Sequence, residues 1–324
     1  MAYKVSIYQK AINALEKRRE KANIEADRAF EEISEAVPEL IDIKNQLSQV
    51  GYSISKTFLY SDDKKADIER LQKLSLKLQQ KKKELLKAHG YSEDALQIHY
   101  TCPACKDTGF IGDRVCTCHR ELLKEIQRNE IRRIAPLDEC TFDTFDVNYY
   151  PDDSTPEGIS PRAKAQKIVE ACRRYATGFT VGKPANLILM GMTGLGKTHL
   201  SLAIANVAIN RGFSVVYGTA YNLLSDLQNE NFGRTDNLRY SENDVLHTDL
   251  LIIDDLGTEY TGAYTVACLY NIINTRILSK RPTIINTNFD FQELSEKYDQ
   301  RITSRIAGEY SALVLLGNDI RYIK

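Results

Sequence analysis

Apolar residues recur at helical spacing along Ile12, Leu15, Ala22, Phe30 and Ile33, which predicts a helix over residues 3–36 that Pro38 ends. A second stripe, Ile68, Leu71, Leu74, Leu78 and Leu85, predicts a helix from about Asp62 to His89, with Gly90 as the residue just past its end. Lys, Glu and Gln fill the remaining positions and give that segment a solvated face. The pattern fits a small helical bundle and equally a helical hairpin that docks on a partner. A charged helix near 119–134 comes next. Residues 136–161 hold Pro136, Pro151, Pro156 and Pro161 among Asp and Thr, and read as a linker or loop into a second domain.

From 162 onward the period changes. The apolar run at 186–190 predicts a buried strand, followed by a Gly-rich turn and a helix over 197–211. Strands are expected at 214–217, 250–254 and 283–287, and a last one within 311–316. Helices are expected at 220–229, at 262–279 and in short pieces around 290–307, with a polar, loop-like stretch at 230–243. Alternating strands and helices at this spacing predict an α/β fold, a parallel sheet covered on both faces.

Composition narrows the class. The 324 residues leave room for about two domains, and 43% hydrophobic with 27% charged residues calls for a folded core rather than disorder. The net charge of -1 means that any nucleic-acid contact must come from a local basic surface. The N-terminus lacks the apolar core of a signal peptide, and no apolar run nears the ~20 residues that span a bilayer. The expectation is a cytoplasmic protein without a membrane partner, in which seven cysteines are poor disulfide formers.

The strongest chemical signal is Gly191-Met192-Thr193-Gly194-Leu195-Gly196-Lys197-Thr198, which fits G-x-x-x-x-G-K-[ST] between a buried strand and a helix. Glycines let backbone N–H groups converge on phosphates, and the helix N-terminus adds its dipole. Lys197 is expected on the β- and γ-phosphates of ATP and Thr198 on Mg²⁺. About 55 residues on, the apolar strand 250–253 ends in Asp254 and Asp255. Ligands of open α/β sheets sit at the carboxyl ends of strands. Asp254 is therefore the expected Mg²⁺ carboxylate, and Asp255 is placed to polarise an attacking water.

Four cysteines crowd into Cys102-x₂-Cys105 and Cys116-x-Cys118. Four soft thiolates suit tetrahedral Zn²⁺, which replaces a hydrophobic core in a short segment. His99 or His119 stands close enough to substitute for one of them, and the alternative is free or redox-active thiols. Cys140, Cys172 and Cys268 read as small packing residues.

Taken together, residues 186–200 (NLILMGMTGLGKTHL), 250–259 (LLIIDDLGTE), 283–288 (TIINTN) and 300–306 (QRITSRI) resemble the DnaC/DnaI helicase-loader family. This is an AAA+ branch near the initiator DnaA and the transposition helper IstB. The cysteine cluster with DTGF at 107–110 resembles the DnaI-like members. The resemblance implies that Asn288 positions the hydrolytic water, that Arg305 (with Arg301 as its rival) acts on the ATP of a neighbouring subunit, and that Arg321 is a sensor-2-like arginine. His199 belongs to the family string and so to the nucleotide-binding segment, where it reads as a helix-packing residue. Asp255 stands where AAA+ proteins usually carry Glu, and the shorter side chain fits a slow ATPase. With Lys324 as the last residue given, the expectation, in keeping with the loader branch, is an AAA+ domain without a full helical lid.

The implied organisation is a helical partner-binding region at 1–98, the cysteine cluster at 99–120, a helix and linker at 121–161 and an AAA+ domain at 162–324. The implied activity is ATP-dependent loading of a replicative hexameric DNA helicase, with self-association through the AAA+ domain. Single-stranded DNA is an implied contact, with Arg234, Arg239 and Tyr240 as the basic and aromatic candidates. An IstB-like transposition helper and a nucleotide-switched adaptor with negligible hydrolysis stand as alternatives.

Overall fold

The computed structural model describes residues 3–60, 64–153, 158, 160–182, 186–234, 236 and 238–322. Asp62 and Pro156, the expected start of the second helix and one proline of the expected linker, lie outside the described residues. The chain forms two compact units, Ile12–His119 and a second one built from Met1–Ala11 with Arg120–Lys324.

The smaller unit is helical. It takes most of α1 (Val5–Ala36), then α2 (Glu39–Tyr60) and α3 (Lys64–Ala88). Leu40, Ile43, Leu47, Val50 and Ile54 give α2 an apolar stripe that packs on α3 through Leu78 and Leu85. The sequence reading passed over this helix, because Ser48, Gly51, Ser53, Ser55 and Thr57 are weak helix formers and tertiary packing overrides them. Leu74, expected on the α3 stripe, is exposed, and Leu86 is buried in its place. Gly90 takes φ +81°, and the Tyr91 N–H bonds back to the Leu86 carbonyl, which closes α3 as expected. A short hairpin, β1 (Phe110–Ile111) with β2 (Arg114–Val115), sits inside the cysteine segment before α4 (Thr117–Arg132).

The larger unit is α/β. After α5 (Pro161–Gly178) come β3 (Asn186–Met190), α6 (Lys197–Asn210), β4 (Val215–Thr219), α7 (Ala220–Asn231) and α8 (Glu242–His247). Then follow β5 (Leu250–Leu256), α9 (Ala263–Leu278), β6 (Thr283–Thr287), α10 (Phe291–Lys297), α11 (Gln300–Glu309) and β7 (Tyr310–Val314). The five strands β3–β7 run parallel in the order β4-β5-β6-β3-β7. Alternate residues feed two apolar layers: Leu187, Leu189, Val215, Ile252 and Ile284 enter one, and Ile188, Met190, Val216, Ile253 and Ile285 the other. Ser160 caps α5, with its hydroxyl accepting from the Ala163 N–H and Pro161 opening the first turn. That Ser-Pro pair is a start signal inside the stretch read as a linker.

The expected linker is in fact part of the core. Leu137, Cys140, Phe142 and Tyr150 are buried in the layer that contains α5 and α6. The Asn206 side chain of α6 donates to the Leu137 and Cys140 carbonyls at 2.7 and 3.0 Å. Pro, Asp and Thr mark irregular backbone, but they do not decide whether that backbone lies on a surface. Cys172 is buried too, as its packing reading requires.

Arg276 in α9 is fully buried without a carboxylate partner at bonding distance among the described residues. Its guanidinium donates to the carbonyls of Val245, Leu246, Thr248 and Pro282 and to the Thr283 hydroxyl, at 2.6–3.2 Å. It thereby ties α9 to the ends of α8 and the start of β6. We expect Arg276→Ala to cost on the order of 3–5 kcal/mol, the range for stripping a buried charged group's partners of their bonds. Urea unfolding checks this; a loss below about 1 kcal/mol contradicts it.

Candidate nucleotide site

β3 delivers the chain into the loop 191–196, and α6 carries it away. Three glycines make the loop possible. Gly191 (φ +137°), Gly194 (φ +78°) and Gly196 (φ +77°) adopt backbone that side chains disfavour. A Cβ on Gly191 would come within 2.6 Å of the Leu315 carbonyl oxygen, and one on Gly194 within 1.8 Å of Asp319 Oδ1. The Lys197 ammonium donates to the Gly191 and Met192 carbonyls at 2.7 and 2.8 Å and to Asn288 Oδ1 at 2.6 Å. Burial lowers its pKa, against the charges of Asp255 and Asp254.

Thr198 opens α6 with its hydroxyl 3.0 and 3.1 Å from the two carboxylate oxygens of Asp254. That carboxylate is buried and also accepts from the Tyr217 hydroxyl at 2.6 Å, from Asn286 Nδ2 at 2.7 Å and from the Asp255 N–H at 3.1 Å. The β5–β6 register shifts between Ile253 and Leu256, and Asp255 takes φ +53°. In a regular strand consecutive side chains point to opposite faces. The bulge and the left-handed residue break that alternation at Asp255. Burial first, and the Asp254 charge second, hold the Asp255 carboxyl above the usual carboxylate range.

A cavity of about 310 Å³ is lined by residues 193–198, Asp255, Asn288, Ile320 and Arg321. Six of the expected phosphate-loop residues, Asp255, Asn288 and Arg321 thus line one cavity, while Asp254 is buried behind Thr198. Met192 is largely exposed outside it. His199 turns outward, its Nε2 at 2.8 Å from the Thr141 carbonyl and its ring edge-on to Phe145, in keeping with a packing role. Arg321 forms a two-pronged pair with Asp319, at 3.0 and 2.9 Å. Arg305 lies away from this cavity on α11, donating to the Tyr270 hydroxyl at 3.1 Å. Arg301 pairs with Asp299 at 2.7 Å.

Sequence reasoning missed Tyr217, Asn286 and Asp319. Asn286 carried a signal, because a polar residue within the apolar run of β6, two before Asn288, faces the same side as Asn288. Tyr217 and Asp319 carried none, since their contacts depend on strand order and on how the C-terminal segment crosses the loop.

The loop 230–243 behaves differently from its polar sequence. α7 ends inside it at Asn231 and α8 begins inside it at Glu242. Arg234 and Arg239 are exposed, but Tyr240 is only 2% exposed and donates its hydroxyl to the Tyr217 carbonyl at 2.7 Å. Tyr240 is therefore a core residue and not a platform for base stacking.

In the helical unit, Cys102, Cys105, Cys116 and Cys118 place their sulfur atoms within 4.8 Å of one another. The buried Asp107 carboxylate fixes the first turn by accepting from the N–H groups of Thr101 and Cys102 at 2.8 and 2.9 Å. Burial raises the Cys105 thiol, but hydrogen bonds from Cys118, the Gly109 backbone and the other two cysteines outweigh it and bring it to about 7. His99 is exposed, and His119 is buried edge-on to Phe110, so the converging donors are the four sulfurs. No helix among the described residues is long and apolar enough to cross a membrane.

A glycine loop, its lysine and a hydroxyl–carboxylate pair, set across a parallel sheet with one strand between the two motifs, define a P-loop nucleotide-binding domain. Residues 162–307 match the family described as IstB-like ATP binding protein. The replicative helicase loader DnaC of Buchnera aphidicola subsp. Acyrthosiphon pisum is 29% identical over 171 residues, 52% of this chain and 63% of that protein. DnaC of Escherichia coli K12 is 32% identical over 136 residues, 41% of this chain and 54% of that protein. The chain thus spans between about half and 63% of the length of these curated relatives. The crystal structure of a DnaC helicase loader aligns with 56% of this chain and 99% of its own, at 20% identity and a TM-score of 0.47.

The Asp254 cluster is open to test. Tyr217→Phe keeps the ring and removes one donor from a buried carboxylate, so we expect a loss of about 1–3 kcal/mol. Urea unfolding with an unchanged m-value measures it, and wild-type stability would contradict the assignment.

Proposed function

We propose that this chain is an ATP-dependent loader of a replicative hexameric DNA helicase. The observation that carries the reading is one cavity lined by Lys197 bonded to Asn288 and by Thr198 bonded to the buried Asp254 behind it, in a segment that matches the IstB-like ATP binding protein family. Curated relatives of that segment named replicative helicase loader add to it.

On this reading Lys197 and the loop N–H groups hold the ATP phosphates. Thr198 and Asp254, a hydroxyl and a carboxylate already side by side, hold Mg²⁺, which supplies positive charge to the phosphates when bound. Asp255, whose carboxyl resists ionisation, faces the cavity as the group that orients the attacking water. Asn288 positions that water, and Arg321 reaches the phosphates from the C-terminal segment. Arg305, which does not line its own cavity, acts on the site of a neighbouring subunit, so hydrolysis needs self-association. Exposed Arg234 and Arg239 supply charge for single-stranded DNA.

The experiment is a pull-down from the native cell with ATP or ADP present. A hexameric helicase should be captured in a nucleotide-dependent way, and Lys197→Ala should lose both tight ATP binding and that dependence. Recovery of a transposase instead supports an IstB-like helper. Nucleotide-dependent capture of the helicase with no measurable hydrolysis, even at high protein concentration, supports the adaptor reading.

The helical unit is read as the part that grips the helicase, with Zn²⁺ held by Cys102, Cys105, Cys116 and Cys118. Four converging thiols, one already easily ionised, suit that ion, which supplies a tetrahedral cross-link where the local core is thin. Metal analysis of freshly reduced protein should find about one zinc per chain. Replacing Cys105 and Cys116 together by Ser should release the metal and loosen the segment 101–119 in hydrogen exchange; zinc-free wild-type protein with the same exchange pattern refutes the assignment.

A further inference from the structure

Glu259 lies just beyond the two carboxylates of β5 and is 3% exposed. Among the described residues it has no cation within ion-pairing distance. One carboxylate oxygen accepts from the Gly257 N–H at 3.0 Å, and the other accepts from the Tyr298 hydroxyl. Burying a carboxylate is costly unless hydrogen bonds hold it, so these two contacts have a purpose beyond filling space.

Each contact ends on a different piece of machinery. Gly257 (φ +110°) terminates the turn that begins at Asp255, and the Thr258 hydroxyl bonds back to the Asp255 carbonyl at 2.9 Å. The Phe289 ring packs so closely on Gly257 that a Cβ there would sit 2.7 Å away, and Phe289 directly follows Asn288. The Thr287 hydroxyl donates to the Leu256 carbonyl at 2.7 Å. The turn after β5 and the turn after β6 are thus interlocked, and each presents one residue to the cavity. Tyr298 belongs to the other end of the arrangement. It closes α10, and the next residue, Asp299, caps α11, the helix that carries Arg305.

We infer that Glu259 and Tyr298 are positioning residues. They form a hydrogen-bonded relay that ties the turn presenting Asp255 in one subunit's cavity to the start of the helix whose Arg305 that subunit offers to its neighbour. The inference rests on the reading of Arg305 as an arginine that acts in trans. A change at Asp255 when nucleotide is bound or hydrolysed then moves Gly257, and through Glu259 and Tyr298 it moves α11. The neighbour's catalysis depends on the state of this subunit's site.

The test uses full-length chains in mixed assemblies. The reference mixture combines Lys197→Ala with Arg305→Ala, so that only interfaces pairing an intact loop with an intact arginine hydrolyse ATP. Tyr298→Phe, which keeps the packed ring and removes the hydroxyl, is then added to one component at a time. On the Lys197→Ala chain it reports the arginine-donating end, and on the Arg305→Ala chain it reports the cavity end. We expect kcat to fall about fivefold in both placements with KM within about twofold, the signature of lost positioning rather than lost binding. Glu259→Gln accepts from Gly257 with its amide oxygen and donates to Tyr298 with its amide nitrogen, so it should keep most of the activity. An active reference mixture that Tyr298→Phe leaves unchanged in either placement overturns the relay alone. So does a loss for Glu259→Gln as large as that for Tyr298→Phe. A reference mixture that stays dead while the chains co-assemble overturns the trans reading of Arg305 and leaves the relay without a destination.

Discussion

The Asp254 carboxylate is the point on which the larger unit is organised. Its bonds come from Thr198 on α6, Tyr217 on β4 and Asn286 on β6, so one buried anion joins the loop helix to three adjacent strands. A carboxylate taken out of water is tolerable only because these donors hold it. The same set of donors fixes its orientation toward Thr198. On the proposed reading, fold stability and cation binding draw on one group, and altering it for one purpose disturbs the other.

The parts of this arrangement that were legible in the sequence are those set by local chemistry. The glycine loop, the strand ending in Asp254 and Asp255, and the period change at 162 each follow from residue types at fixed spacing, and the sheet places them as read. Helix α2 was legible in its stripe but obscured by its serines. What was not legible depends on non-local geometry. Nothing around Tyr240 distinguishes a ring packed under an edge strand from one offered to a nucleic acid, and the proline-rich segment before α5 gives no sign that Leu137 and Tyr150 are core. The bulge at Asp255 belongs to the same class, because register against β6 is decided by both strands.

The two interlocked turns also bear on how an aspartate would serve after Asp254 on the proposed reading. A longer acidic side chain on a regular strand would point away from Asp254, whereas here a left-handed residue turns the chain itself toward the cavity. Asp is among the few residues that adopt this backbone readily, through its short polar side chain. The backbone supplies the reach that the side chain lacks.

The packing of 137–150 has a practical meaning for anyone dividing this protein. Tyr150 donates to the Leu195 carbonyl at 2.7 Å, Phe145 stacks on Tyr150 and closes over Gly196, and Leu137 and Phe142 lie against the layer beneath. A fragment begun at residue 162, where family similarity starts, would shed this collar and leave the outer side of the phosphate loop and of α6 bare to water. Such a fragment carries every motif of the nucleotide site and yet leaves part of its own core behind. The inheritable domain, as similarity delimits it, is shorter than the physical one.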